Sequence, residues 1–134
     1  MTATVEYLGD LRTRCLHLKS GNAFITDAPT DNHGKGEAFS PTDTVAAALA
    51  SCMLTVMGIK AANMGVDLTG TVAAVTKIMA DQPRRISGII VKLDIPLGPD
   101  AKSRQILENT ARTCPVLLSL HPDINKEITF NWNS

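Results

Sequence analysis

The stretch from Phe39 to Met64 constrains this chain more than any other. It opens Phe-Ser-Pro-Thr-Asp, and between Thr44 and Ala62 its only charge is Lys60. Ser40 suits a helix N-cap, Pro41 the first helical position, and Asp43 the acid of a capping box. Asn63 and Gly65 supply the stop. A surface helix needs a polar face, and this segment has almost none, so it is expected to be buried on most sides. Its apolar run lasts only about a dozen residues before a polar atom interrupts it, which suits a core or interface helix and not a membrane span.

A buried helix of this length needs a domain around it. The 134 residues are enough for one domain, 1–134, and 44% hydrophobic against 19% charged residues describes a globular chain. Net charge is zero, so nothing favours a nucleic-acid backbone as partner. The N-terminus, Met1-Thr-Ala-Thr-Val-Glu, has no basic region followed by an apolar run, so the expected location is the cytoplasm. Three cysteines in such a compartment do not form a disulfide scaffold, and no two lie at zinc-ligand spacing. No metal or other cofactor is expected; His17, His33 and His121 are scattered.

Before the helix, residues 4–18 alternate weakly as a strand, Lys19–Asn22 reads as a turn, and residues 23–26 as the returning strand. Asp27 to Glu37 is a polar loop shaped by Pro29, Gly34 and Gly36. After Gly65, residues 66–79 and 86–95 read as strands around a turn at 81–85. Asp100 caps a second helix to about Arg112, Cys114-Pro115 opens a short helical turn, and residues 126–132 close the chain as a strand. This order predicts an α+β domain, with antiparallel sheet packed on a long central helix. Sheet covers one face of that helix, and a 134-residue monomer would leave the other wet. A symmetric homodimer would cover it.

Cys52 lies mid-helix among small residues, and Cys114 precedes a proline 62 positions later. One reading makes both buried and inert, since a free cysteine behaves as a small hydrophobe. The other makes them a peroxidatic and resolving pair, in which a thiolate attacks a peroxide, becomes a sulfenic acid and condenses with a second thiol. Cys15 reads as a strand residue with no role.

Phe-Ser-Pro-Thr-Asp with Leu49, Ser51 and Cys52, and Thr110-Ala-x-x-Cys-Pro-Val116, resemble the two cysteine segments of the OsmC/Ohr family of thiol-dependent peroxidases. Leu11-Arg-Thr13, His17, Ser20-Gly21, residues 25–29 and Gly34-x-Gly36 resemble its front hairpin and loop. The resemblance runs in order along nearly the whole chain. It implies an intertwined homodimer with two sites at the subunit interface, Cys52 as peroxidatic and Cys114 as resolving cysteine, an arginine beside Cys52, and an acid at the start of the long helix holding that arginine. It also implies an organic hydroperoxide as substrate and an external dithiol as reductant. The alternative within the family is a dimer whose apolar cleft binds a ligand, with little or no peroxidase activity.

The arginine has a physical reason. A free thiol near pKa 8.5 is mostly protonated at neutral pH, and burial raises the value further. Cys52 is too deep in its helix to feel the N-terminal dipole, whereas a guanidinium is a permanent cation. Arg12 matches the family's Leu-Arg-Thr; Arg14 is the rival, because residues two apart in a strand share a face. The acid departs from the better-known peroxidases, whose glutamate stands ten residues before the cysteine. Thr42 holds that place here, and Asp43 stands nine before, where other branches carry the acid. Nine helical residues rise about 13 Å, too far to serve Cys52 of the same chain. Asp43 therefore either serves a partner subunit or only caps the helix, with Glu37 the alternative arginine partner. Local physics gives Cys114 a claim to be the attacking thiol, since a helix N-cap lowers a thiol's pKa. The family resemblance gives that role to Cys52.

Overall fold

The computed structural model describes residues 1–133. The chain forms two compact units, Met1–Val45 and the residues from Ala46 onward. The first is an antiparallel sheet of β1 (Ala3–Gly9), β2 (Arg12–His17) and β3 (Ala23–Asp27), with a 3-10 turn at Thr30–Asn32. The second holds β4 (Val72–Ala80), β5 (Arg85–Ile95) and β6 (Asn125–Trp132) as a sheet in that order, with α2 (Ala101–Ala111) and α3 (Pro115–Ser119). The long helix α1 (Pro41–Asn63) starts in the first unit and continues into the second. The α+β class expected from the element order is the observed one.

The ends of α1 follow the sequence. The Asp43 N–H donates to Ser40 Oγ at 3.0 Å and the Ser40 N–H to Asp43 Oδ2 at 3.0 Å, a reciprocal capping box. At the other end Gly65 takes φ +71°. The Val66 N–H then reaches Ala61 O at 2.8 Å and the Gly65 N–H reaches Ala62 O at 3.3 Å, which is a Schellman motif.

Along α1 the positions Ala46, Leu49, Ala50, Met53, Met57 and Ala61 are buried, a stripe at helical spacing. On β5 the alternate residues Ile89, Val91, Leu93 and Ile95 are buried, and they meet that stripe together with Leu107 and Ala111 of α2 and Cys114. A hydrogen bond from Trp132 Nε1 to Glu108 Oε2 at 3.0 Å, and Arg112 over the Phe130 ring, tie α2 to β6. The other side of α1 is not covered. Val45, Ala48, Thr55, Ile59 and Ala62 are exposed, Ile59 by 63%. By length and hydropathy alone α1 is long and apolar enough to cross a bilayer, but its buried stripe is part of the unit's core.

Three local expectations are corrected. Residues 4–18 are two strands, not one. Asp10 and Leu11 both take positive φ, 54° and 63°, and make the two-residue turn between β1 and β2. Leucine seldom enters that region, so the turn has a weak signature. Residues 66–71 precede the strand instead of belonging to it. There Asp67 Oδ1 accepts from the Thr69 N–H at 2.9 Å and its hydroxyl at 2.7 Å, a local alternative to sheet pairing. Finally, β6 pairs with β5 in parallel, so this sheet is mixed and not wholly antiparallel. The helices α2 and α3 lie between the two strands in sequence and form the crossover that parallel pairing requires.

Met53 is fully buried at the centre of the α1 stripe. Met53→Ala should lower stability by about 2–5 kcal/mol, read from the urea midpoint at constant slope. A loss below about 1 kcal/mol would mean that the site collapses without a cavity.

Candidate functional site

The chemistry-bearing residues fall into two groups, one in each unit. In the first unit the β2–β3 register sets Arg12 opposite Asp27. Asp27 is 1% exposed. Its Oδ2 accepts from the Glu37 N–H at 2.9 Å and faces Arg12 Nη2 at 3.5 Å. The same Nη2 is paired with the Glu37 carboxylate, which is 61% exposed. The second Asp27 oxygen, Oδ1, is buried and has no hydrogen-bond partner among the described residues.

Backbone bonds fold the 28–39 loop around Asp27. The Asp27 N–H donates to Phe39 O at 3.0 Å, the Ala28 N–H to Leu11 O at 3.1 Å, and the Gly36 N–H to Ala28 O at 3.1 Å. A Cβ on Gly34 would lie 1.7 Å from Ala28 O, so only glycine fits there. The Glu37 N–H bond, with Arg12 adding to it, holds the Asp27 carboxyl below the usual carboxylate range despite burial. Arg12 is raised above its ordinary value, by its bond to Glu37 first and by Asp27 second.

Arg12 and Arg14, inseparable by strand periodicity, are separated here. Arg12 is half-buried between two carboxylates, whereas Arg14 is exposed and stands opposite Glu6 and Ile25. Glu37 is an arginine partner, as one alternative held. Asp43 engages Ser40 in the capping box.

In the second unit Cys52 is half-buried on α1 and Cys114 is fully buried at the N-cap of α3. Cys114 Sγ accepts from the Leu117 N–H at 3.3 Å. Burial pushes the Cys114 thiol up, and the Cys52 thiol, close enough to interact with it, pushes the same way. The cap bond works against both and loses. The N-cap, weighed against the family resemblance above, therefore does not lower the Cys114 thiol. The helix α3 has five residues and a correspondingly small dipole, while the desolvation of a fully buried sulfur is large. The fold thus brings together two cysteines far apart in sequence.

Residues 34–129 match the family described as OsmC-like protein. The chain belongs to the OsmC-like family. A candidate osmotic stress induced and detoxification response protein from Psychrobacter arcticus is 54% identical, with 97% of this chain and 95% of that one covered and a TM-score of 0.94. Two organic hydroperoxide resistance proteins share the fold at 15% identity. For the one from Legionella pneumophila the TM-score is 0.76, with 98% and 97% of the chains covered. For the one from Elizabethkingia anophelis it is 0.77, with 99% and 97% covered. A search of the curated proteins found no match.

Within this OsmC-like chain Asp27 is the residue that sequence reasoning missed. The turn read at Lys19–Asn22 would set Leu18 opposite Ala23 and Arg14 opposite Asp27; the observed register pairs Leu16 with Ala23 and so brings Arg12 to Asp27. Nothing in the sequence announces that the carboxylate is buried.

The elevated Cys114 thiol has a direct consequence. In a Cys52→Ser variant, peptide-resolved iodoacetamide labelling of Cys114 should have a pH midpoint above the ordinary thiol value of about 8.5. A midpoint below that value would show that the cap outweighs burial.

Proposed function

We propose that this OsmC-like protein is a thiol peroxidase that reduces organic hydroperoxides to alcohols in the cytoplasm. The observation that carries the reading is the adjacency of the Cys52 and Cys114 thiols, with Cys52 the more accessible of the two. The hydroperoxide resistance named for the Legionella and Elizabethkingia proteins supports the substrate class.

In the proposed cycle the Cys52 thiolate attacks the outer oxygen of R–O–O–H. The O–O bond breaks, Cys52 becomes a sulfenic acid, and the alkoxide leaves as the alcohol after taking a proton. The Cys114 thiol then attacks the Cys52 sulfur, releasing water and forming the disulfide. An external dithiol returns both sulfurs to the reduced state by exchange. Arg12 supplies the fixed cation that favours the thiolate and polarises the peroxide. Asp43 caps its own helix and is proposed to reach the site of a partner protomer. No cofactor enters the cycle.

The assignment of roles rests on a comparison of magnitudes. A helix dipole is worth about 0.3–1 kcal/mol at an exposed site, less than one pKa unit, and at Cys114 burial overrides it. A close cation shifts an acid by about 1–3 units. Cys114→Ser should consume one hydroperoxide, stop at a sulfenic acid on Cys52 and over-oxidise with excess peroxide, while Cys52→Ser stays inert. Intact-mass spectrometry reads this directly. A gain of one oxygen on Cys52→Ser alone would reverse the roles.

The uncovered side of α1 supports a homodimer. Sedimentation at micromolar concentration should give about twice the 14.3 kDa chain mass. A stable folded monomer would remove the argument for a site shared between protomers.

A second reading has its own observation. A groove of about 600 Å³ runs along α1 past Leu54, Gly58 and Ala62 to Val66 and Leu68, with Asp67, Thr69 and Thr71 on its polar side, and this mixed lining suits a ligand with an apolar body and a polar group. Titration of thiols after one equivalent of cumene hydroperoxide separates the readings: two thiols lost per chain favours the peroxidase, and none favours the ligand carrier.

A further inference from the structure

The guanidinium of Arg12 is shared between two carboxylates that differ in every physical respect. Asp27 is 1% exposed and is fixed by the Glu37 N–H and by its own N–H to Phe39 O. Glu37 has an exposed side chain, in the loop after the 3-10 turn. Both carboxylates meet the same nitrogen, Nη2. The Asp27 contact, at 3.5 Å, is at the outer limit of a hydrogen bond, and Asp27 Oδ1 has no partner among the described residues. The Glu37 N–H satisfies one Asp27 oxygen, but a long arginine contact and a second buried oxygen with no partner among the described residues leave this carboxylate incompletely paired. A guanidinium turned onto both of its oxygens would satisfy it, because Arg–carboxylate pairs favour that fork.

The charges point the same way. Two carboxylates on one guanidinium over-neutralise it, and Lys35, which also draws the Asp27 carboxyl down, offsets only part of this. A cation spent on two anions has little left for a thiolate.

We propose that the two carboxylates have opposite roles: Asp27 is the positioning residue that holds Arg12 ready, and Glu37 is an autoinhibitory latch that draws Arg12 away from full engagement with Asp27. Release of Glu37 lets Arg12 close on both Asp27 oxygens and leaves one carboxylate in place of two. This rests on Arg12 being the cation for the Cys52 thiolate, as proposed above. An exposed ion pair is the right kind of latch, since such pairs are weak and screened by salt.

The test is Glu37→Gln, which keeps shape and removes charge at an exposed position, beside Asp27→Asn and Arg12→Ala. Glu37→Gln should speed consumption of cumene hydroperoxide by Cys52 about two- to fivefold, the range an exposed ion pair carries. It should also lower the pH midpoint of Cys52 alkylation. Asp27→Asn should slow the reaction by more than about tenfold and raise that midpoint. Added potassium chloride should move the parent protein toward the Glu37→Gln rate and leave that variant unchanged. A Glu37→Gln protein that is slower than the parent overturns the latch, and it does so whether or not Asp27→Asn folds.

Phenylglyoxal modification of the Arg12 peptide, followed by mass, reads the latch without Cys52. Faster modification in Glu37→Gln supports the latch, and an unchanged rate overturns it. If Arg12→Ala leaves Cys52 kinetics untouched while phenylglyoxal still reports release, the role of Arg12 fails and the latch stands.

Discussion

The structure depends on a helix that is apolar nearly all round and is packed on one side only. The buried stripe from Ala46 to Ala61 closes over β5 and α2. Burial of apolar area is the main favourable term in folding, and this contact supplies the core of the second unit. The capping box and the Schellman motif limit α1 at both ends. Cys52 precedes Met53 of that stripe and is half-buried, a position that combines access with partial desolvation. Ile59 and Ala62, left exposed, are what a second protomer would cover.

Against that apolar background the polar chemistry of the first unit is concentrated on one buried carboxylate. Asp27 ties the loop back to the hairpin through Glu37 and Phe39 and faces Arg12 across the strands. A buried charge persists only when paired and hydrogen-bonded, and both conditions hold here for one of its two oxygens. The residue proposed to position Arg12 is thus also the one that holds the loop, which is why the loop glycines matter. Gly34 has no room for a side chain, and it lies in the loop that carries the Glu37 N–H to Asp27.

For the cysteines, burial and local dipole compete, and burial wins at Cys114. In the proposed cycle a resolving thiol gains from this. It stays protonated and unreactive toward peroxide until a sulfenic acid forms beside it, whereas an attacking thiol needs access and a cation. Arg12 is held by Asp27 and Glu37 within its own unit, while Asp43 is engaged in the capping box of α1.

Much of this was legible in the residues themselves. The span and caps of α1, the cap at Asp100, the short helix after Cys114 and the α+β order follow from local propensity, capping chemistry and periodicity, which act within a few residues of one another. The Cys52 and Cys114 motifs and Leu11-Arg-Thr13 marked the family. What the sequence by itself left open depends on contacts between distant segments. The parallel pairing of β6 depends on how a crossover returns, the turn at Asp10-Leu11 on a leucine accepting a left-handed backbone, and the pairing of Arg12 rather than Arg14 with buried Asp27 on the β2–β3 register. The pKa direction of Cys114 depends on how much protein surrounds the sulfur. Burial and cross-strand partnership are properties of the assembled chain, and only the tertiary structure decided them.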